Sequence, residues 1–269
     1  MNFTMWGVWH ILFMLSPIVG IFILWILFRK CNERVKRFVG IGLSVFAIAV
    51  WVLRSVEVYL TTAEPLHYEL IPLQICHLAN FVLLFAFAAK NKYAFALLFT
   101  FFLPAAIMAI IFSNSLENFN EFNLRAFAYI AGHLLIVVTI VWAYISGFVK
   151  LNLKIFLWSF LIVFVSYLII LVVTNLVNLM HFYGAGANYF FVLRPESGTP
   201  LAWFFGIGSM ITVGWFSFHP IYMVLTALFG LVIRGGLFGV YLLLEKLRPK
   251  KKEAACKNRR LPTEIEGCT

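Results

Sequence analysis

The stretch from Leu12 to Phe28 reads LFMLSPIVGIFILWILF, contains no charged residue and is followed at once by the basic segment Arg29–Arg37. A helix of about 20 apolar residues crosses ~30 Å of hydrocarbon. Open sheets and irregular chain cannot face lipid, because their backbone polar groups would stay unpaired there. The stretch therefore predicts a transmembrane helix, and Trp6 and Trp9 just before it suit a membrane interface.

The rest of the chain repeats this pattern. Apolar residues make up 63% of the 269 residues and charged residues only 12%, whereas soluble proteins are about half apolar and about a quarter charged. The predicted fold class is therefore all-α, a polytopic membrane helical bundle with about seven transmembrane helices. After Leu12–Phe28, the predicted spans are Phe38–Leu60, Ile71–Ala89, Tyr93–Phe112, Arg125–Phe148, Ile155–Met180 and Val213–Leu244.

The distribution of charge predicts the orientation. Basic residues are concentrated in Arg29–Arg37 and Lys246–Arg260, while the loops on the other side are acidic or nearly neutral. Because cytoplasmic loops are rich in Lys and Arg, we expect the N-terminus outside and the C-terminus inside. Residues 1–246 are predicted to form a single transmembrane domain, and 247–269 a basic, disordered cytoplasmic tail. Arg234-Gly235-Gly236 leaves the last span either tilted, with its arginine snorkelling toward the cytoplasm, or broken at the glycines.

The net charge and the cysteines exclude some classes of partner. A net charge of +10 is accompanied by no nucleic-acid-binding motif, so no nucleic-acid partner is predicted. No pair of cysteines has metal-ligand spacing, and no metal ion or cofactor is predicted. Three of the four lie in segments expected in the cytoplasm, where disulfides are rare. The cysteines are Cys31, Cys76, Cys256 and Cys268.

Polar side chains within the predicted spans gather in the outer half of the bilayer, and the inner halves of the same spans are almost purely apolar. Such groups usually face the interior of a bundle and often mark function. At ~1.5 Å per residue, Cys76 lies ~8 Å down the third span and His133 ~12 Å down the fifth. Other polar groups in the second, third and sixth predicted spans include Arg54, Glu57, Gln74, His77, Asn175 and Asn178.

A cysteine and a histidine at similar depth suggest an activated nucleophile, because a nearby imidazole can take the proton of a thiol. A thiolate at headgroup depth could attack the ester of a glycerophospholipid and hold its acyl group as a thioester. Arg54 and Arg194, with Asn188 and Tyr189, could bind the phosphate. The alternatives are an inert apolar thiol, a structural Arg54–Glu57 ion pair, and asparagines that only join helices.

Three short motifs resemble the YwaF family of bacterial integral membrane proteins, which includes the eukaryotic transmembrane protein 164. They are LIPLQICHL at 70–78, YIAGH at 129–133, and GANYF at 186–190 followed by LRP at 193–195. The resemblance covers roughly Gly40 to Phe216, and many bacterial members carry His at the position of Gln74. It implies a cysteine-dependent phospholipid acyltransferase of the bacterial cell membrane, with Cys76 as nucleophile and His133 as base.

We therefore predict an integral membrane acyltransferase that moves a fatty acyl chain from a phospholipid to a lysolipid or another lipid acceptor. The alternatives are a membrane transporter or channel, which would need polar residues in the cytoplasmic half, and a non-enzymatic receptor or assembly factor. The sequence indicates neither the individual lipids nor the oligomeric state. The predicted substrate-binding residues are Arg54, Glu57, Gln74, His77, Asn178, Asn188, Tyr189 and Arg194.

Overall fold

A computed structural model describes residues 3–61, 69–114, 116, 124–180, 186–196 and 198–247. A π-helical turn at Leu98–Phe102 joins the fourth helix to the fifth, and a 3₁₀ turn lies at Tyr189–Phe191. One short antiparallel hairpin consists of β1 (Ile211–Val213) and β2 (Phe216–Phe218). The helices are α1 (Val8–Phe28), α2 (Glu33–Thr61), α3 (Ile75–Ala89), α4 (Lys92–Leu97), α5 (Leu103–Ile111), α6 (Leu124–Ile145), α7 (Leu153–Leu179), α8 (Leu201–Phe205) and α9 (Pro220–Leu247).

The helices confirm an all-α polytopic membrane bundle. Within the described ranges, six helices are long and apolar enough to cross a membrane: α1, α2, the continuous run from Lys92 to Ile111, α6, α7 and α9. The remaining apolar helix, α3, has only 15 residues, or about 22 Å at ~1.5 Å per residue. The number of crossings and their orientation stay predictions. Of the predicted tail, only Leu247 lies within the described residues.

The last span differs from its prediction at both its start and its middle. It was expected to begin at Val213, but the chain there forms the hairpin, and the helix begins at Pro220, whose ring suits a first helical position. The helix then runs unbroken through Gly235. Arg234 is only 3% exposed. The helix is therefore not broken at the glycines, and its arginine lies inside the bundle instead of snorkelling; the tilt of the span stays a prediction.

The core lies around α3, α6 and the π-helical turn. α2 packs against both α3 and α6, and α1 packs against α6. Leu83, Phe87, Ile136 and Trp142 are almost completely buried there. Arg37 fastens one end of this core, since its Nε donates to the carbonyl oxygen of Phe87 at 2.8 Å. It thereby satisfies a carbonyl that would have no partner at the end of α3.

Two glycines of α2 offer a matched test of this packing. A Cβ at Gly40 would collide with the ring of Phe87, whereas a Cβ at Gly42 would meet nothing within 4 Å. We expect Gly40→Ala to lower the free energy of unfolding by about 1–3 kcal/mol through overpacking. Gly42→Ala should leave it unchanged or raise it by up to ~1 kcal/mol, because alanine favours helix. Thermal unfolding in detergent measures both, and equal effects would contradict close packing of α2 on α3.

Candidate functional site

A cavity of about 1050 Å³ lies between α2, α3, α5, α6, α7 and α9, and Cys76 and His133 both line it. Most of its other lining is apolar, including Ile136, Phe164 and Met223. Its volume is at the upper end of the range for pockets that bury small ligands. The two residues that the sequence singled out as a nucleophile–base pair thus share one apolar chamber, although they belong to different helices.

Cys76 is the second residue of α3. Gln74, the residue just before α3, has extended backbone angles. Its carbonyl accepts the first helical hydrogen bond, from the backbone N–H of Leu78 at 2.9 Å. The backbone N–H groups of Cys76 and His77 belong to the first turn, which has no intrahelical partners, and both interact with the Cys76 sulfur. The start of a helix also carries partial positive charge, which stabilises negative charge that develops close to it.

His133 is 6% exposed and is held in one tautomer. Its Nδ1 lies 2.7 Å from the carbonyl oxygen of Tyr129. Because a carbonyl only accepts, Nδ1 carries the proton and Nε2 keeps its lone pair. The Tyr129 ring packs against the imidazole, with centroids 4.3 Å apart, and its hydroxyl donates to the carbonyl of Ala109 at 2.8 Å. The imidazole is thereby held in one orientation, with Nε2 as its acceptor nitrogen.

No hydrogen bond joins the Cys76 sulfur to the His133 ring among the contacts of the described residues. Such contacts are often long before substrate binds and shorten only in the complex. His77 also lines the cavity, and its buried Nδ1 has no partner within the described residues. Two imidazoles and one thiol therefore face the same chamber.

Three charged residues form a cluster at one end of the cavity, which we call the mouth cluster: Arg54, Glu69 and Arg125. The Glu69 carboxylate forms an ion pair with Arg54 Nη2 and lies 3.3 Å from Arg125 Nη2. Arg54 therefore pairs with Glu69 instead of Glu57, so the suggested Arg54–Glu57 ion pair is not formed. All three members line the cavity. Two guanidinium groups and one carboxylate give the three-residue cluster itself a net positive charge.

Glu196 lies beside the mouth cluster and also lines the cavity. Burial, and after it the negative charge of Glu69, raises the pKa of the Glu196 carboxyl above its ordinary value. The sequence analysis missed Glu69, Arg125 and Glu196. All three lie at the predicted ends of spans or in a loop, where charged residues are common and do not indicate a functional site. Their one signal was their position beside the motifs that contain Cys76, His133 and Arg194.

The predicted substrate-binding residues fall into two groups. Arg54, Gln74 and His77 line the cavity, whereas Glu57, Asn178, Asn188, Tyr189 and Arg194 are not among its lining residues.

The asparagines of the second group hold the backbone of the segment between α7 and α8. Asn178 Oδ1 accepts from the backbone N–H groups of Gly186 and Ala187 at 3.1 and 2.9 Å. Asn188 Oδ1 accepts from those of Leu193 and Arg194 at 3.0 and 3.1 Å. A role for these residues in substrate binding stays a prediction.

A second polar group lies deeper in the bundle, around the middle of α9. Arg234 Nη2 donates to Ser159 Oγ at 2.8 Å and to Thr100 Oγ1 at 3.2 Å. All three residues are buried, and Arg234 lines the cavity. We call them the Arg234 cluster. Ser159 is a single polar residue in the half of α7 that was expected to be almost purely apolar, whereas Thr100 and Arg234 belong to other spans.

These helices, enclosing a largely apolar cavity with charged groups toward both ends, define an integral membrane protein. The sequence model of the TMEM164 family matches residues 5–238. The chain therefore belongs to the TMEM164 family, which confirms its resemblance to transmembrane protein 164; the grouping with YwaF stays a prediction. No curated protein and no solved structure is significantly similar to the chain.

Proposed function

We propose that this protein is a phospholipid acyltransferase that works through a thioester on Cys76. The observation that carries the proposal is that Cys76 and His133, from two different helices, line one apolar cavity with the mouth cluster. The substrates would be membrane phospholipids, as acyl donor, and a lysolipid or another lipid alcohol, as acceptor. The expected location is the bacterial cell membrane.

In the first half-reaction, His133 Nε2 takes the proton of the Cys76 thiol and the sulfur attacks the ester carbonyl of the donor. The bond from the carbonyl carbon to sulfur forms and the ester C–O bond breaks. The lysolipid leaves as an alcohol after taking the proton from His133. In the second half-reaction, the hydroxyl of the acceptor attacks the thioester carbonyl while His133 takes its proton. The new ester C–O bond forms, the C–S bond breaks, and His133 returns the proton to the sulfur, which restores the thiol.

The start of α3 supports this chemistry. The negative charge that develops on the carbonyl oxygen needs donors that are already in position. The backbone N–H groups of Cys76 and His77 have no helical partners and lie at the nucleophile. They are suited to bind that oxygen, and the positive end of the α3 dipole adds to the effect.

The mouth cluster supports a phosphate-bearing substrate. Arg54 and Arg125 present planar guanidinium groups, which bind phosphate through two parallel hydrogen bonds. Both are half-buried against Glu69, so their charges are less screened than those of exposed arginines. With the headgroup at this end, the ester carbonyls and the acyl chain would extend into the apolar part of the cavity.

Trapping the intermediate tests the proposal. Purified protein is incubated with a phospholipid of uniform acyl composition and its intact mass is measured. We expect an adduct of one acyl group that maps to Cys76 and is released by neutral hydroxylamine, which cleaves thioesters. Cys31→Ala should acylate like wild type, since Cys31 does not line the cavity. An adduct on Cys31, or no adduct while acyl transfer proceeds, would contradict the proposed mechanism.

One observation favours the alternative of a transporter or channel. The Arg234 cluster extends polar groups toward the inner end of the bundle, as a path across the membrane would require. The same assay separates the two functions, because a transporter moves its substrate without acylating Cys76.

A further inference from the structure

Arg234 lies far from the mouth cluster along the bundle. It follows Pro220, the first residue of α9, by 14 residues, which is about 21 Å of helix. Its partner Ser159 follows Leu153, the first residue of α7, by six residues, or about 9 Å from that end. α7 begins at the end of the bundle where α6 finishes, and Arg125 lies where α6 begins. The cavity therefore has a cation toward its inner end as well as at its mouth.

The charge of Arg234 has no counter-charge within the described part of the chain. No described carboxylate lies within 4 Å of its guanidinium group. Thr100 and Ser159 accept hydrogen bonds from it but donate their own protons to the carbonyls of Ala96 and Phe156. Neutral hydroxyls do not cancel a charge, and an uncompensated charge inside a membrane protein is expensive and usually functional.

The guanidinium group is also only partly used. Nη2 makes both hydrogen bonds, while Nε is buried without a partner among the described residues. The rings of Phe156 and Phe160 flank the group, with their centroids 5.9 and 5.3 Å from Arg234 Cζ. Arg234 is 3% exposed and lines the cavity. A buried cation with spare donors thus borders a chamber that is otherwise apolar.

We propose that Arg234 is an anion-binding site for a single-chain lipid, whose oxyanion head it holds while the chain lies along the apolar wall toward Cys76. The fork of the guanidinium group matches the oxygens of a carboxylate or a phosphate. A fatty acid and a lysophospholipid share this chemistry, an oxyanion on one apolar chain. The site stands apart from the acyltransferase proposal, because binding requires no reaction at Cys76.

Equilibrium binding to the full-length protein tests the site, in a Cys76→Ala background so that no acyl group is transferred. The probes are radiolabelled oleate, oleoyl lysophosphatidylcholine and, as an uncharged comparator, oleyl alcohol. Arg234→Met should weaken binding of the oxyanion lipid about tenfold or more, the loss expected for charge-assisted hydrogen bonds to a buried anion. Oleyl alcohol should bind both proteins equally. The matched control is Lys246→Met, an exposed cation of the same helix, which should bind like wild type.

The two probes identify the source of the anion. Arg234-dependent binding of oleate assigns a carboxylate, and Arg234-dependent binding of the lysophospholipid assigns a phosphate; either supports the site. The proposal is overturned if neither lipid binds saturably, or if both bind Arg234→Met as tightly as wild type. If Arg234→Met does not fold, Arg234→Lys replaces it. Lysine keeps the charge but loses the fork, so binding should weaken several-fold, and unchanged binding would overturn the site.

A purely structural arginine predicts different stability data. If Arg234 only joins α9 to Thr100 and Ser159, Arg234→Met should lower the melting temperature without ligand and leave the shift caused by the lipid unchanged. An anion site predicts the reverse. Replacing an uncompensated buried charge by an apolar side chain should leave the ligand-free melting temperature unchanged or raised, and the stabilisation by lipid should disappear.

Discussion

Cys76→Ala should reduce acyl transfer from phospholipid by about 10³-fold or more, because the covalent route disappears with its nucleophile. The fold should tolerate the change, since Cys76 borders a cavity and its sulfur forms no hydrogen bond with another side chain among the described contacts. Transfer of a radiolabelled acyl chain to a lysolipid, measured with purified protein, gives the rate. Thermal unfolding measures the integrity of the variant.

Two further variants sharpen this result. Cys31→Ala removes the other described cysteine and should transfer at the wild-type rate. Cys76→Ser keeps a hydroxyl nucleophile that is far harder to deprotonate, so it should retain at most a trace of activity. A Cys76→Ala protein that still transfers acyl chains at the wild-type rate would exclude the thioester and return this thiol to a packing role.

His133→Ala should reduce acyl transfer by about 10²–10⁴-fold, the usual contribution of a positioned general base. The reason lies in the bond from Nδ1 to the Tyr129 carbonyl, which leaves Nε2 free to accept a proton. The same transfer assay measures the rate, and alkylation by iodoacetamide reports the fraction of thiolate at Cys76. Both the rate and the alkylation should fall in the variant.

His10→Gln is the matched control for the loss of a buried histidine. His10 is completely buried and its Nε2 lies 2.9 Å from the carbonyl oxygen of Ile110, but it does not line the cavity. The His10→Gln variant should transfer acyl chains at nearly the wild-type rate. If His77→Gln lowers transfer as His133→Ala is expected to, while His133→Ala does not, the base is His77 and the assignment of His133 is wrong.

The membrane bundle was predictable because hydrophobic length and the spacing of charges depend on composition along the chain. The span ending at Phe28 needs only its own residues to be recognised. The start of α9 was not predictable in this way, since Val213 and Phe216 are as apolar in a hairpin as in a span. Hydropathy also carries no information on the rotation of a helix, so the inward direction of Arg234 could not be read from the sequence.

For the candidate site, the depth of a residue along its span was predictable, but its partners on other helices were not. Estimated depth brought Cys76 and His133 to one level, and both line the cavity. Ion-pair partners on different helices could not be predicted. The sequence suggested Glu57, one turn away on the same helix, as the partner of Arg54, but Arg54 pairs with Glu69 from the segment before α3. Ion pairs between elements depend on side-chain positions that spacing along one helix does not contain.

The shortness of α3 has a consequence for the environment in which the thiol reacts. The exposed Lys90 just after this helix forms an ion pair with Glu33 at 2.9 Å, and such charged pairs belong at a membrane surface. With that end at one boundary, about 22 Å of helix would cross only part of a hydrocarbon layer of ~30 Å. The first turn would then lie about 8 Å inside the opposite boundary, below the level of the glycerol esters. One additional helical turn would raise the sulfur by about 5 Å toward that level, so the length of a single helix sets how far a lipid ester must descend to meet the thiol.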